Sequence, residues 1–171
     1  IVVIVKNKLH EDVLAWEVEI KNDLNIDWEK IKFEPQHKTG ELFSPASHLI
    51  KRLQCFDKNL IDNFVSKLDM KTIKKYIPNA KNFEFFIFKD LPGFKMFPHT
   101  DPRKYIGFLV LNLTNNYNST EFFDWDNNFI CKSSNIKNKG VLHYLRAKPI
   151  IKHSVENNSK KNRYTTIAFI K

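Results

Sequence analysis

"HSVENNSKKNRYTTIAF", residues 153–169, is the stretch on which the fold turns. His153 alternates with Ile151 and Val155, so the three share one face of a strand. Arg163 and Thr165 share a face in the same way on a second strand. Between them ENNSKKN is made of turn-forming residues and reads as the loop of a hairpin. The hairpin then carries a ring nitrogen on one strand, and a guanidinium with a hydroxyl on the other. Such a set asks for a partner elsewhere in the chain.

"FPHTDPRKY" at 97–105 supplies one. The plain reading is a polar turn leading into a strand. The sharper one is half of a metal site, because His99 and Asp101 stand two apart and share a strand face. With His153 they make two imidazoles and one carboxylate. Bound to one face of an ion, that set leaves the other face open, as in non-haem Fe(II) oxygenases. The open positions admit a co-substrate and dioxygen together. Arg163 then has a task, since a guanidinium pairs bidentately with a carboxylate and keeps its charge. It can hold the far end of a dicarboxylic 2-oxo acid whose near end chelates the ion, with Thr165 adding a hydrogen bond. A zinc hydrolase could use the same three ligands with a bound water, but it leaves Arg163 without a role.

The remaining histidines read as structural. His10, His37 and His48 lie in polar surroundings as solvated or capping residues, and His143 in VLHYL reads as a core histidine of the barrel interior. Arg103, Lys104 and Arg146 read as solvated turn residues rather than as anion-holding ones. Phe97, Tyr105, Phe122, Phe123 and Trp125 read as core.

Texture changes along the chain. The opening IVVIV is a short apolar run of strand type. Leu60, Ile61, Phe64, Val65 and Leu68 repeat at helical offsets behind Asp57, a ready N-cap, and Asp69 caps a second helix through MKTIKKY that must stop near Pro78. From residue 82 onward NFEFFIFKDL, YIGFLVLNL, TEFFDW, NFICKSS, VLHYL, PIIKHSV and YTTIAFI follow as short strands bounded by Asn, Gly, Pro or Lys. YIGFLVLNL is nearly continuous apolar sequence, as a strand buried on both faces requires. Strands at this spacing indicate a sandwich or jelly roll. The fold class is therefore mainly β with N-terminal helices (α+β). Residues 1–81 are expected to form a mixed region whose helices pack on the barrel, and 82–171 the β core, as one continuous domain.

Composition narrows the function. The 171 residues are 42% hydrophobic with 15 Phe, enough for a core without disulfides. Two cysteines, Cys55 and Cys131, make no disulfide framework or zinc knuckle, and a reducing cytoplasm is the expected compartment. No apolar run approaches the roughly 18 residues of a membrane span, and IVVIV is too short for a signal-peptide core. The net charge is +9, but it comes from 24 Lys against 4 Arg in an Asn- and Ile-rich chain, the bias of an AT-rich genome. The lysines are scattered, which argues against a dedicated nucleic-acid surface. A non-catalytic cupin-like metal-binding or nucleic-acid-binding module remains the alternative to an enzyme.

PHTD at 98–101 and HSVENNSKKNRYTTIAF at 153–169 together resemble the Fe(II)- and 2-oxoglutarate-dependent oxygenases. NSTEFFDW resembles that family's GGTEF-type strand, with Asn118 and Ser119 where glycines are usual. KNKGVLHYL resembles its PKxGxLxxF turn and strand, with Asn138 in place of a frequent proline. The resemblance covers residues 82–171. It implies a double-stranded β-helix (jelly-roll, cupin-like) with helices outside. It implies Fe(II) held by His99, Asp101 and His153, and 2-oxoglutarate held by Arg163 and Thr165. It implies oxidative decarboxylation to succinate and CO2 coupled to hydroxylation by O2, with ascorbate as a candidate reductant. The presence of Asp101 favours hydroxylation over halogenation. The substrate, whether a small molecule, a protein or a nucleic acid, is left open.

Overall fold

The computed structural model describes residues 3–22, 24–35 and 51–171. His37 and His48 lie outside these residues. Twelve strands and two helices follow in order: β1 Val3–His10, β2 Val13–Ile20, β3 Glu34–Pro35, β4 Arg52–Gln54, α1 Lys58–Val65, α2 Met70–Tyr76, β5 Phe83–Asp90, β6 Lys95–His99, β7 Gly107–Asn112, β8 Glu121–Phe123, β9 Phe129–Lys132, β10 Lys139–Tyr144, β11 Lys152–Glu156 and β12 Arg163–Ile170. Both helices start where the aspartates place them. Asp57 accepts from the Leu60 amide and Asp69 from the Lys71 amide, satisfying N–H groups that a helix leaves unpaired.

Two antiparallel sheets face each other, one of eight strands in the order β1-β2-β10-β7-β12-β5-β4-β3 and one of four in the order β6-β11-β8-β9. From β5 onward successive strands alternate between the sheets, apart from the adjacent pair β8–β9. This is the winding of a jelly roll, a double-stranded β-helix. The alternation of β7 shows why its sequence is apolar throughout. Phe108 and Val110 point between the sheets, with Phe88, Phe122, Val141 and Ile167. Leu109 and Leu111 point outward, where Ile73 of α2 and Ile77 just after that helix cover them. A third cluster places Phe64 of α1 and Trp28 over Ile87 and Tyr164. Among the described residues no helix is long and apolar enough to cross a membrane.

Two expectations are corrected. First, β11 and β12 do not form a hairpin. β11 pairs with β6 and β8, while β12 pairs with β5 and β7, so the link between them crosses from one sheet to the other. Asn157 holds that crossing. Its backbone N–H donates to Phe94 O at 2.7 Å, its carbonyl accepts from Gly93 N at 2.8 Å, and its buried side chain donates to Asp90 O at 2.9 Å. A run of turn residues signals reversal, but it does not say which sheet receives the next strand. Second, Phe97 and Trp125 are not core: they are half or more exposed, while Tyr105 and Phe122 are buried. The strand β2 was not legible either. Its VLAWEVEI mixes Leu, Ala and Glu, all good helix formers, into a strand that pairs with both β1 and β10.

Gly140 shows how closely β10 and β7 approach. A Cβ there would lie 1.8 Å from the Val110 carbonyl oxygen, which is backbone and cannot swing aside. Gly140→Ala is expected to destabilise the protein by about 3 kcal/mol or more, read as a lowered urea midpoint with an unchanged slope.

Candidate metal centre

The minor sheet builds the site. His99 ends β6 and is the register partner of His153 on β11. Asp101 follows just past the strand end. The candidate ligating atoms of His99, Asp101 and His153 all lie within 4.8 Å of one another. Asp101 Oδ1 is 3.6 Å from His99 Nε2 and 3.4 Å from His153 Nε2. Adjacent ligands at about 2.1 Å from one ion stand about 3 Å apart, so the Asp101 carboxylate lies within about half an ångström of that spacing from each imidazole. The residues therefore fit a first-row divalent ion.

Neighbouring groups orient the ligands. His99 Nδ1 lies 2.6 Å from the Phe97 carbonyl, an acceptor, which places the proton on Nδ1 and turns the Nε2 lone pair toward the site. Arg146 donates from Nη2 to the carbonyls of Asp101 at 3.1 Å and Pro102 at 2.8 Å, fixing the loop that carries the carboxylate. So Arg146 clamps the loop that carries Asp101 rather than standing free as a turn residue. Lys104, by contrast, lies over the Tyr105 ring and 3.9 Å from Glu84.

The electrostatics favour a cation here. Burial pushes the Asp101 carboxyl up, but His153 and then His99 outweigh it and hold it below the usual carboxylate range. Among the described residues, buried Asp101 Oδ2 meets no hydrogen-bond partner, nor does His153 Nδ1. A buried carboxylate oxygen without a donor is costly unless something positive meets it. An ion held by the three side chains would supply that charge.

A cleft opens beside the three ligands. Its polar lining is Arg52, His99, Asp101, Thr120, His153 and Arg163, and its remaining walls are apolar, including Phe108 and Ile167. Arg163 is thus on the cleft, but it is 2% exposed and already paired, its Nη1 donating to Asp90 Oδ2 at 2.9 Å. Thr165 sits between Arg163 and Ile167 on the same strand face; it does not itself line the cleft, and its buried hydroxyl has no partner. Sequence reasoning missed Arg52, Asp90 and Thr120. One signal was present for Asp90, which continues the inward positions Phe86 and Phe88 of β5 and so puts a carboxylate on an apolar face. Arg52 is one of four arginines in a chain that otherwise uses lysine.

A prolyl-4-hydroxylase from Pseudomonas putida has a similar structure, with a TM-score of 0.51 and 15% identity over 64% of this chain and 64% of that one. The chain therefore spans less than two thirds of that protein. A viral collagen prolyl hydroxylase from Paramecium bursaria Chlorella virus-1, solved with 2-oxoglutarate, aligns at a TM-score of 0.47 and 11% identity over 70% of this chain and 77% of that one. A cupin domain from Bordetella pertussis aligns at 0.37 and 12% over 54% and 85%. No family model matches the sequence, and no curated protein matches it either.

His143 lies behind His153 at a ring separation of 6.3 Å, between Phe108 and Phe122. Burial, then the nearby His153, pushes its pKa down to about 3. A group held neutral in the folded protein takes up a proton on unfolding. Its contribution is therefore fully present above about 6.5 and is lost as pH falls from there toward 3. In metal-free protein, His143→Leu is expected to flatten the acid loss of stability by roughly 1.4 kcal/mol per pH unit below 6.5. Urea titrations at pH 7 and 5 check this; equal slopes for the two proteins would refute it.

Proposed function

We propose that the protein is an Fe(II)- and 2-oxoglutarate-dependent dioxygenase that hydroxylates its substrate and releases succinate and CO2. The observation that carries this reading is the convergence of His99, Asp101 and His153 beside a cleft that also contains Arg163. A zinc hydrolase explains the three ligands but not the arginine. The fold is one that the Pseudomonas putida prolyl-4-hydroxylase also uses, which makes the reading compatible with the architecture without identifying the substrate.

Iron, with a 2-oxo acid and dioxygen bound, would supply the oxidising chemistry, which belongs to the cofactor rather than to any side chain. His99, Asp101 and His153 would hold the ion from one side. Arg163 would bind the far carboxylate of 2-oxoglutarate; Thr165 lies on the same strand face but off the cleft, so that contact falls to the arginine alone. The apolar walls exclude water, which strengthens those charge pairs. Hydrophobic closure of this kind also protects the reaction from side paths.

The test is an anaerobic titration of Fe(II)-loaded protein with 2-oxoglutarate, followed by exposure to air with ascorbate present. Saturable binding and slow formation of succinate are expected, and Asp101→Ala should abolish succinate by weakening iron binding. Iron-loaded protein that neither binds 2-oxoglutarate nor forms succinate would overturn the proposal. Arg163→Ala should leave metal binding in place. Breaking a buried charge pair costs roughly 3–5 kcal/mol. At about 1.4 kcal/mol per decade, 2-oxoglutarate should then bind on the order of a hundred- to a few-thousand-fold more weakly.

A further inference from the structure

Arg52, Asp90 and Arg163 form one row across three strands. Arg52 of β4 is the register partner of Asp90 on β5, and Arg163 of β12 is the partner of the same Asp90. Asp90 is 0% exposed, Arg163 2% and Arg52 5%. Arg52 grips Asp90 with two bonds, Nε to Oδ1 at 2.7 Å and Nη2 to Oδ2 at 3.0 Å. Arg163 makes a single bond to the carboxylate, Nη1 to Oδ2 at 2.9 Å, with a long contact from Nε to Asn118 O at 3.4 Å. Phe88 and Phe94 sandwich the Arg52 guanidinium, each centroid 4.4 Å from Cζ. Two positive groups meet one negative group, so among the described residues the row carries one unit of uncompensated positive charge in a nearly dry wall of the cleft.

We infer that Arg52 is the specificity-determining residue of the cleft, because by occupying Asp90 it leaves Arg163 charged toward a dianionic co-substrate. The inference rests on the function proposed above and adds a charge count to it. A divalent ion with Asp101 carries one net positive charge at one end of the cleft. The arginine row carries another at its far end. A 2-oxo dicarboxylate, with two negative charges on one short chain, neutralises both. Without Arg52, Asp90 would neutralise Arg163, and the far end would suit a 2-oxo monocarboxylate. Burial pulls the Arg163 guanidinium below its usual range; Asp90 opposes this and Arg52 adds to the lowering.

The experiment compares binding of 2-oxoglutarate with that of 2-oxopentanoate, the same chain without its far carboxylate, by calorimetry on Zn(II)-loaded protein. The wild type should prefer the dicarboxylate. Arg52→Met should reduce that preference by about tenfold or more, the order expected for loss of one charge in a partly dry site. The double variant Arg52→Met/Asp90→Asn should recover most of it, because the charge returns to Arg163. A merely structural role for Arg52 predicts no such recovery, since two lost partners would then do at least as much harm as one. An unchanged preference in Arg52→Met, or a further fall in the double variant, overturns the inference while leaving the proposed function standing. If the wild type binds neither acid, the proposed function falls, and this inference with it. Should Arg52→Met not fold, Asp90→Asn alone decides: it adds a positive charge and must strengthen the preference, and an unchanged or weaker one overturns the inference.

Discussion

Asp90 is the point from which the cleft is organised. A carboxylate with no exposed surface must be met by donors or lost to protonation, because burying an unpaired charge costs several kcal/mol. Here it is met from both sides, by Arg52 on β4 and Arg163 on β12. Its own backbone carbonyl accepts from Asn157, the residue that follows β11 and carries the chain across to β12. One residue therefore joins three strands of the large sheet to the crossing from the small one. Such a cluster is weak support for stability, since desolvation offsets much of the attraction. Its consequence is positional. It fixes where Arg163 stands relative to the cleft.

The three metal-ligand candidates are ordered by a different device. Two of them, His99 and His153, are direct cross-strand partners on the small sheet, and Asp101 lies just past the end of β6. The Phe97 carbonyl sets the His99 tautomer, and Arg146 holds the Asp101 loop by its carbonyls. The site thus needs both sheets, one to present the metal ligands and one to present the arginines. The apolar layer between them, with Phe108 and Ile167 on the cleft wall, keeps the charged groups at each end from being solvated. Three of the four arginines in the chain are engaged here. A planar fork that keeps its charge when buried suits these places better than the lysine used elsewhere.

What the sequence alone determined was local. Strand alternation placed Arg163 with Thr165 on one face, whereas Asp101, expected to share a strand face with His99, lies past the end of β6. Helical periodicity with two capping aspartates located α1 and α2. A continuous apolar run announced β7 as buried on both faces. These readings depend on periodicity and capping, which act over a few residues and leave their mark in the order of the chain.

The tertiary structure decided the rest. ENNSKKN reads as a hairpin loop, yet the chain crosses between sheets there, because the partners of β12 are β5 and β7, whose paired residues lie between 53 (165 − 112) and 87 (170 − 83) positions away in sequence. Arg52 lies 111 positions from Arg163, counted as 163 − 52, and no short pattern links them. They meet because β4 and β12 flank β5 at the level of Asp90. Phe97 and Trp125 carry core-type side chains but face solvent, since strand pairing rather than hydrophobicity fixed where their segments lie. Charge compensation across strands is a property of register, and register is settled only when the sheets close. So residue type showed that a cation and a carboxylate ligand could be present. Only the closed barrel showed that Arg163 shares its counter-ion with a second arginine.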